Sequence, residues 1–148
     1  MKRKAVKPVK ISTKGRYGLR MMIDIAMNQN EGPVSVRDIA RRQSLSDKYL
    51  EQIITQANKA GLLKSIRGAG GGYQLSRLAK DISVGEILRA MEGNLSPKGV
   101  SEGNTVSSVG NDAFWQGFDE AVNQYVDSIT LEQIAEKNRE FNGFDYVI

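Results

Sequence analysis

Residues 46–75 decide the fold, and they read SDKYLEQIITQANKAGLLKSIRGAGGGYQL. Ser46 precedes apolar residues at helical spacing, which predicts a helix that begins after a serine cap and ends at Gly61. Its inward face would consist of Leu50, Ile53, Ile54 and Ala57. The apolar-bearing runs 62–66 and 73–75 flank a glycine-rich loop, which is the pattern of a β-hairpin. The stretch therefore predicts a helix that leads directly into a two-stranded hairpin.

Two further helices are predicted upstream of this stretch. Ser12 would cap the first helix, which runs to about Asn28. Its inward face would consist of Leu19, Met22, Ile23 and Ala26. Ser35 and Asp38 form a capping box for a short second helix that ends near Arg42. Two helices, a turn, a third helix and a hairpin predict a mainly α fold, the winged helix-turn-helix with a two-stranded wing.

A long C-terminal helix is predicted downstream of a loop. Ser83 and Glu86 form a capping box for a short helix after the hairpin. Residues 94–111 carry five Ser/Thr and three Gly without periodicity, so we expect a flexible loop there. The helix after this loop, of about four turns, carries an apolar stripe made up of Phe114, Phe118, Ala121, Val122, Tyr125 and Ile129. Thr130 would then cap one more short helix.

The composition excludes many kinds of chemistry. The 148 residues include no Cys and no His, which excludes Ser-His-Asp and Cys-His nucleophiles, ordinary zinc sites and thiol switches. No apolar run approaches the roughly 20 residues of a membrane span, and the basic start is not followed by the apolar segment of a signal peptide. We therefore expect a cytoplasmic protein without membrane contact, in which an enzyme would have only carboxylate or lysine chemistry.

The net charge is +4, but basic and acidic residues are unevenly distributed along the chain. Residues 10–80 hold 13 basic and five acidic side chains, whereas residues 81–148 hold four basic and twelve acidic ones. A basic half of this kind is typical of a surface that meets a polyanion, while the acidic half faces solvent or protein. Charge alone leaves chance clustering on a solvated surface open as the alternative.

The third predicted helix has a polar face opposite its apolar one. Along its first half, at positions i, i+3, i+4 and i+7, this face consists of Lys48, Glu51, Gln52 and Thr55. Gln can bond adenine at two atoms, Glu can accept from cytosine N4, and Lys can reach guanine O6 and N7. Recognition helices present their N-terminal part to base edges. We therefore predict DNA contacts for these four residues, with an ordinary solvated helix face as the alternative.

The glycine-rich loop is predicted to be a wing tip that contacts DNA. Its glycines Gly68, Gly70 and Gly71 would let the turn lie close to a DNA backbone, and Arg67 would enter a narrow minor groove. A nucleotide-binding loop is disfavoured because such loops open a helix, whereas Gly72 leads into a strand. A hairpin loop whose glycines only provide positive φ remains the alternative.

The apolar stripe of the long helix is predicted to be a dimer interface. The residues that would form it are Phe114, Phe118, Val122, Tyr125 and Ile129. The winged domain is small and closes its own core, so the stripe has little to pack against in its own subunit. A two-fold dimer also suits palindromic DNA half-sites. The alternative is that the stripe completes the core of its own chain.

The chain accordingly divides into four predicted segments. Residues 1–8 hold four basic groups and no acid, which predicts a disordered basic arm. Residues 9–93 would form the winged helix-turn-helix domain and residues 94–111 the flexible loop. Residues 112–148 would form the dimerisation helix and the C-terminal tail.

Three ordered motifs give the chain a family resemblance. They lie at residues 10–18 (KISTKGRYG), at residues 45–52, and at residues 61–73. In these motifs, and further along in residues 84–87 and 115–131, the chain resembles the Rrf-type bacterial transcriptional regulators. The resemblance implies a homodimeric winged-helix transcription factor that binds double-stranded DNA. By that resemblance, the DNA-binding positions are Lys48, Glu51, Gln52 and Arg67.

One departure from the family pattern concerns its cofactor. Members that bind an iron–sulfur cluster carry three cysteines in the loop that corresponds to residues 94–111, and this chain has none. We therefore expect no cofactor, no metal and no iron–sulfur cluster. What remains looks like the cysteine-metabolism repressor branch of the family, whose members sense through a partner enzyme.

The C-terminal residues provide a candidate partner site. The ending Asp145-Tyr146-Val147-Ile148 is similar to the isoleucine-ended tails by which serine acetyltransferases enter the active site of cysteine synthase (O-acetylserine thiol-lyase). Tyr146, Val147 and Ile148 would bind there with the free α-carboxylate, carried on a flexible joint at residues 142–143. The alternative is that the tail docks on its own subunit or frays.

Three functional hypotheses follow. The leading one is a homodimeric DNA-binding repressor of cysteine or sulfur metabolism genes that signals through complex formation with cysteine synthase. The second is a protein-interaction regulator whose tail acts on cysteine synthase without specific DNA binding. An enzyme that uses carboxylates alone is disfavoured, because no Asp/Glu cluster forms a recognisable site.

Overall fold

The structure is a computed structural model that describes residues 11–95 and 106–145. The predicted basic arm, residues 1–8, residues 96–105 of the predicted flexible loop, and the tail residues 146–148 lie outside these ranges. The elements in the described ranges are the helices α1 (Thr13–Asn28), α2 (Val36–Gln43), α3 (Asp47–Lys59), α4 (Val84–Glu92), α5 (Val106–Ser128) and α6 (Leu131–Asp145), and the strands β1 (Leu63–Ile66) and β2 (Gly72–Leu75). The predicted mainly α winged helix-turn-helix fold is confirmed.

Serine caps begin three of the helices, as the sequence predicts. The hydroxyls of Ser35, Ser46 and Ser83 each accept a hydrogen bond from the backbone N–H three residues later, at 3.0–3.2 Å. Each hydroxyl satisfies one of the backbone donors that the first turn of a helix leaves unpaired. These local signals therefore set the starts of α2, α3 and α4.

The start of α1 is capped differently from the prediction. Ser12 is the residue before the helix, but its side chain makes no capping hydrogen bond. Instead, Glu92 at the end of α4 accepts hydrogen bonds from the backbone N–H groups of Ser12 and Gly15, both at 2.9 Å, and from the Ser12 hydroxyl. A carboxylate at a helix N-terminus is favoured by the helix dipole. Local spacing could not reveal this partner, which is 80 residues away.

The core forms around α1, which contacts α2, α3, α4 and α6. The four predicted inward residues of α3 are all buried. In α1 the prediction is only half right: Met22 and Ala26 are buried, but Leu19 and Ile23 are only half-buried, and Met21 and Ile25 are buried instead. Because helices pack on several sides of α1, its buried surface is wider than a single amphipathic stripe.

The predicted hairpin is confirmed as an antiparallel pair in which Leu63 faces Leu75. A third segment joins its edge, because Val34 and Tyr73 exchange two backbone hydrogen bonds of 2.9 and 2.8 Å. The Gln29 side-chain oxygen also accepts from the N–H of Leu75 at 2.9 Å. The connection between α1 and α2 therefore fixes the wing to the helical domain.

The C-terminal region differs from the prediction at two boundaries. Helix α5 begins at Val106, so the loop predicted for residues 94–111 is wrong over its last six residues. Helix α6 is not short: it runs for 15 residues to Asp145, and the predicted flexible joint at residues 142–143 is helical. Glycine costs about 1 kcal/mol in a helix interior, but intrinsic propensity is a weak guide that packing overrides. In α6 that packing comes from Leu131 and Ala135, both fully buried.

The junction between α5 and α6 is joined to the segment before α4. The N–H of Val84 donates to the carbonyl of Ile129, and the N–H of Leu131 donates to the carbonyl of Ile82, both at 2.8 Å. Thr130 and Gln133 form the reciprocal capping box that the sequence predicts for α6, at 2.9 and 3.1 Å. Among the described residues, no helix is both long and apolar enough to cross a membrane.

Candidate nucleic-acid interface

Helix α3 presents the predicted polar face to solvent. Lys48, Glu51, Gln52 and Thr55 are all exposed, while the opposite face of the helix is buried. Within the described ranges, Lys48, Glu51 and Gln52 have no side-chain hydrogen bond or ion pair, so their polar atoms are available to a ligand. The hydroxyl of Thr55 donates to the backbone carbonyl of Glu51 at 2.8 Å. Thr55 can therefore offer DNA only its methyl group and its oxygen lone pairs.

The wing tip contains glycines with different structural roles. Gly68 has a φ of +111°, which ordinary residues rarely adopt. A Cβ on Gly71 would lie 2.3 Å from the carbonyl oxygen of Ile66, so the turn itself requires this glycine. A Cβ on Gly70 would meet nothing within 4 Å. Positive φ and close packing thus explain Gly68 and Gly71, whereas Gly70 leaves an open surface at the tip beside the exposed Arg67.

A buried carboxylate connects α1 to the end of α2, just before the recognition helix. The Asp24 side chain is 2% exposed, and it accepts from Arg42 Nε at 2.9 Å and from Arg42 Nη2 at 2.7 Å. The Gln43 side-chain amide donates to the same carboxylate at 2.9 Å. The hydrogen bond to Asp24 raises the pKa of Arg42 above its ordinary value, although partial burial opposes this.

Sequence reasoning missed this cluster. Its only signal is an acidic residue within the apolar stripe of α1, which is costly unless the carboxylate is paired.

A second contact supports α3 from the same helix. The rings of Tyr17 and Tyr49 meet edge to face at 6.0 Å between centroids, and the Arg20 guanidinium lies 4.7 Å from the centroid of Tyr17. The Asp24 cluster and the contact between Tyr17 and Tyr49 both join α1 to the helix-turn-helix unit.

The predicted dimerisation stripe lies largely exposed on α5. Phe114 is 61% exposed, Phe118 44% and Tyr125 68%, while Val122 and Ile129 are half-buried. Ile129 lies one residue beyond the end of α5. The stripe thus does not complete the core of its own subunit. Dimerisation through it stays a prediction.

Trp115 belongs to the same exposed surface, although the prediction omitted it. Its ring centroid lies 5.0 Å from that of Phe114 and 5.6 Å from that of Phe118. The three rings form a cluster at the N-terminal half of α5. Heptad-like spacing could not include Trp115 because it directly follows Phe114 in sequence. An aromatic side chain among aromatics is nevertheless a signal in its own right.

The C-terminal half of α5 is anchored to α4 by an ion pair. Arg89 donates to the two oxygens of Asp127 at 2.6 and 3.0 Å and to the side chain of Asn123 at 2.7 Å. The Arg89 hydrogen bond lowers the pKa of Asp127 below its ordinary value. The ion pair therefore fixes the C-terminal half of α5 to α4, whereas the aromatic cluster around Phe118 is exposed.

The fold and these surfaces define a class of protein. A helix-turn-helix with an exposed polar recognition helix and an adjoining glycine-rich wing is a winged-helix DNA-binding regulator. The comparisons then give the family: residues 11–137 match the model of the Rrf2 family, described as iron-dependent transcriptional regulators. The chain belongs to the Rrf2 family.

Individual relatives agree with this assignment. The chain is 45% identical to the HTH-type transcriptional regulator CymR of Bacillus subtilis (strain 168) over 127 residues, which cover 86% of this chain and 90% of that one. It is similar to the solved structure of CymR (YrzC), the global cysteine regulator of B. subtilis, with a TM-score of 0.79, 44% identity and coverage of 87% and 98%. The T. potens IscR structure matches with a TM-score of 0.74, 42% identity and coverage of 89% and 90%. These relatives are transcriptional regulators and not enzymes.

The family description raises the question of an iron site. The sequence offers no thiolate and no imidazole, the usual ligands of protein-bound iron–sulfur clusters. In the part of the chain that the structure describes, no three carboxylates come together in a way that could hold a metal ion. The donor set therefore does not fit a cluster of the iron–sulfur type.

Proposed function

We propose that the chain is a homodimeric repressor of genes of cysteine or sulfur metabolism. The observation that carries this proposal is the polar face of α3, whose side chains are exposed and, for Lys48, Glu51 and Gln52, without partners in the described ranges. These residues would read base edges in the major groove while Arg67 enters the minor groove beside it. The similarity to a regulator described as the global cysteine regulator of B. subtilis supports the choice of target genes.

The proposed homodimer would place two such faces on a palindromic site. The exposed aromatic surface of α5 supports it, because clustered aromatics of this kind are typical of protein interfaces. A two-fold dimer presents two recognition helices to half-sites one turn of DNA apart. Binding to double-stranded DNA by two linked modules is also far tighter than binding by one.

The proposed signal comes from a protein partner and not from a cofactor. A chain without cysteine cannot use the thiolate-held cluster of its cluster-binding relatives. The tail residues Tyr146, Val147 and Ile148 would enter the active site of cysteine synthase, as the resemblance of the ending to serine acetyltransferase tails suggests. Because α6 continues to Asp145, these residues follow a helix in sequence and not the flexible joint that the sequence predicts. The site of action would be the cytoplasm.

DNA binding by α3 is tested by truncating its polar face. A preferred site is first selected from random DNA with the unchanged chain, and a shuffled duplex of the same composition serves as the reference. Glu51→Ala and Gln52→Ala should each weaken binding to the selected site by about 1–3 kcal/mol, or roughly five- to 150-fold. Affinity for shuffled DNA should change little, because phosphate contacts dominate it.

Glu140→Ala provides the control for these variants. It removes a carboxylate from the exposed surface of α6, outside the winged domain, and should leave both affinities unchanged. Equal losses of Gln52→Ala on selected and shuffled DNA would reject base reading by α3. A lack of any preferred site would reject the repressor proposal as a whole.

The enzyme partner is tested separately by calorimetry against cysteine synthase from the same cell. Removal of Ile148 deletes an apolar side chain worth about 1.5–3 kcal/mol when buried and displaces the terminal carboxylate. Binding should fall at least about tenfold, while affinity for the selected DNA site should remain. Equal affinities of the two proteins, or no heat with either, would leave a DNA-binding regulator with a different signal.

The alternative of a tail-mediated regulator without specific DNA binding has no support in the Rrf2 family assignment.

A further inference from the structure

The turn between α2 and α3 has a conformation that its own sequence does not favour. Ser44 lies in the left-handed region, with φ 55° and ψ 45°, and it is the one non-glycine residue with positive φ in the described ranges. Residues with a Cβ are disfavoured there, and helices more often end in glycine at this point. The turn closes with its own backbone hydrogen bonds, from the N–H of Leu45 to the carbonyl of Ala40 at 3.0 Å and from the N–H of Ser44 to the carbonyl of Arg41 at 3.4 Å. Contacts from outside the turn also hold this backbone, which determines the direction in which α3 leaves α2.

Those contacts come from α1. Asp24 receives three side-chain N–H groups, two from Arg42 and one from Gln43, the last two residues of α2. Arg20, one turn earlier in α1, donates to the Gln43 side-chain oxygen at 3.0 Å and to the Gln43 backbone carbonyl at 2.9 Å. Both the side chain and the backbone of the residue before Ser44 are thus held by α1.

Stability alone does not account for this arrangement. A buried ion pair costs desolvation energy that its Coulomb attraction only partly returns, and apolar residues of similar size are often as stabilising. The hydrogen bonds of a carboxylate held by a guanidinium and an amide are directional, so they allow one relative placement of α1 and α2. Apolar packing would permit small shifts of the same helices.

We propose that Asp24 is a positioning residue for DNA recognition: through Arg42 and Gln43 it fixes the α2–α3 turn and so the direction of the recognition helix on DNA. This inference rests on the proposed reading of bases by α3. Base-edge hydrogen bonds tolerate little displacement, whereas phosphate contacts by long basic side chains tolerate more. Loss of Asp24 should therefore reduce sequence discrimination more than it reduces overall DNA binding.

The test uses the full-length Asp24→Asn variant with the selected and the shuffled duplex. Asparagine keeps the shape of the side chain but turns an N–H₂ group toward the Arg42 guanidinium or leaves one donor without an acceptor. Affinity for the selected site should fall about tenfold, in line with the loss of about one base contact. Affinity for shuffled DNA should stay within about twofold.

Glu86→Gln is the matched control. It makes the same carboxylate-to-amide change in an arginine pair, with Arg77, that does not involve α2 or α3. Its ratio of selected to shuffled affinity should equal that of the unchanged protein. Thermal unfolding followed by circular dichroism compares the stability of the two variants. If Asp24→Asn does not fold, Gln43→Ala replaces it in the test. The same fall in the ratio is expected for Gln43→Ala.

A double variant distinguishes positioning from a general loss of structure. If Asp24 acts through α3, the Asp24→Asn change should cost less on the selected site once Gln52→Ala has removed a base contact. An unchanged affinity ratio in folded Asp24→Asn protein, while Gln52→Ala lowers it, would overturn the positioning role and leave base reading intact. An unchanged ratio in all these variants would overturn base reading by α3 itself.

Discussion

Helices α3 and α5 both present a face to solvent, but the two faces differ in kind. The α3 face carries Lys48 and Gln52, whose polar groups can form hydrogen bonds with water or with DNA. The α5 face carries Phe114 and Tyr125, 61% and 68% exposed. Exposed aromatic side chains leave apolar area in water at a cost of about 25 cal/mol per Å². This cost favours an apolar partner for the α5 face, which the proposed homodimer would supply, whereas the α3 face is well solvated without a ligand.

The charge separation follows the same division. The described part of α5 carries four acidic side chains and no basic one, while the wing and α3 lie in the basic half. A polyanion would be repelled by the acidic helix that carries the exposed aromatic side chains and attracted to the basic half that carries α3. One chain can thus hold two interfaces without competition between them.

The largest expected effect comes from the α5 face. Phe118→Asp places a charge within the aromatic cluster and should convert the proposed dimer into a monomer at micromolar concentration. Because two linked modules gain about 10²–10⁴ in effective affinity, binding to the selected palindromic site should fall at least about a hundredfold. Sedimentation and DNA titration measure the two quantities.

The control for this variant lies on the same helix. Gln124→Asp adds the same charge to α5 within the polar groove formed by Asp119, Asn123 and Asp127, and it should leave the oligomeric state unchanged. An interface through the aromatic face would be contradicted if the protein without substitutions is a monomer. It would also be contradicted if the Phe118→Asp protein remains a dimer.

Local signals predicted the winged domain well because its elements are specified by neighbours in sequence. The caps at Ser35, Ser46 and Ser83 act over three residues, and the hairpin is bounded by its own glycines. Predictions failed where distant groups decide. Glu92 caps α1 from 80 residues away, and Asp24 is satisfied by the end of α2.

The C-terminal boundaries failed for a different reason. Composition predicted a loop up to residue 111 and a joint at residues 142–143, yet residues 106–111 and residues 142–143 are helical. Helix propensity is a weak guide once part of the helix is packed. A period of 3.6 residues was enough to predict that Lys48, Glu51 and Gln52 share an exposed face. It could not predict the geometry of the α2–α3 turn, which sets the direction of that face.

The wing differs from α3 in the groove it is proposed to contact, and its substitution is expected to have an intermediate effect on DNA affinity. Arg67→Ala should weaken binding roughly tenfold at sites flanked by narrow A·T-rich minor grooves, because the negative potential there is strongest. At G·C-rich flanks the loss should be smaller. Fluorescence titrations on duplexes that differ only in the flanks measure both. A loss that does not depend on the flanks would assign Arg67 to phosphate contact alone.

A smaller effect is expected at Gly70. Its added Cβ meets no atom of the protein within 4 Å, so Gly70→Ala should leave the melting temperature unchanged. If the wing tip lies against the DNA backbone, the methyl group should lower affinity by about two- to fivefold, equivalent to less than about 1 kcal/mol. Gly71→Ala is the contrasting variant, because its Cβ would meet Ile66 at 2.3 Å and disturb the turn itself. Unchanged affinity of Gly70→Ala would indicate that the tip stays away from DNA.

The smallest expected effect concerns the ion pair that anchors α5. The hydrogen bond from Arg89 lowers the pKa of Asp127 below its ordinary value of 3.8. A carboxyl group with a lowered pKa stabilises the folded state fully above its unfolded value, and this contribution is lost as the pH falls through the folded pKa. Because the Asp127 side chain is 49% exposed, solvent screening limits the pair to about 0.2–1 kcal/mol.

Urea unfolding of the unchanged protein and of Asp127→Asn checks this expectation. The variant should be less stable by that small amount at pH 7 and at pH 5. The two curves should converge as the pH falls below 3.8, because a protonated aspartate is as neutral as asparagine. A difference that persists at the lowest pH would show that packing of Asp127 against Gly85, and not its charge, anchors the C-terminal half of α5.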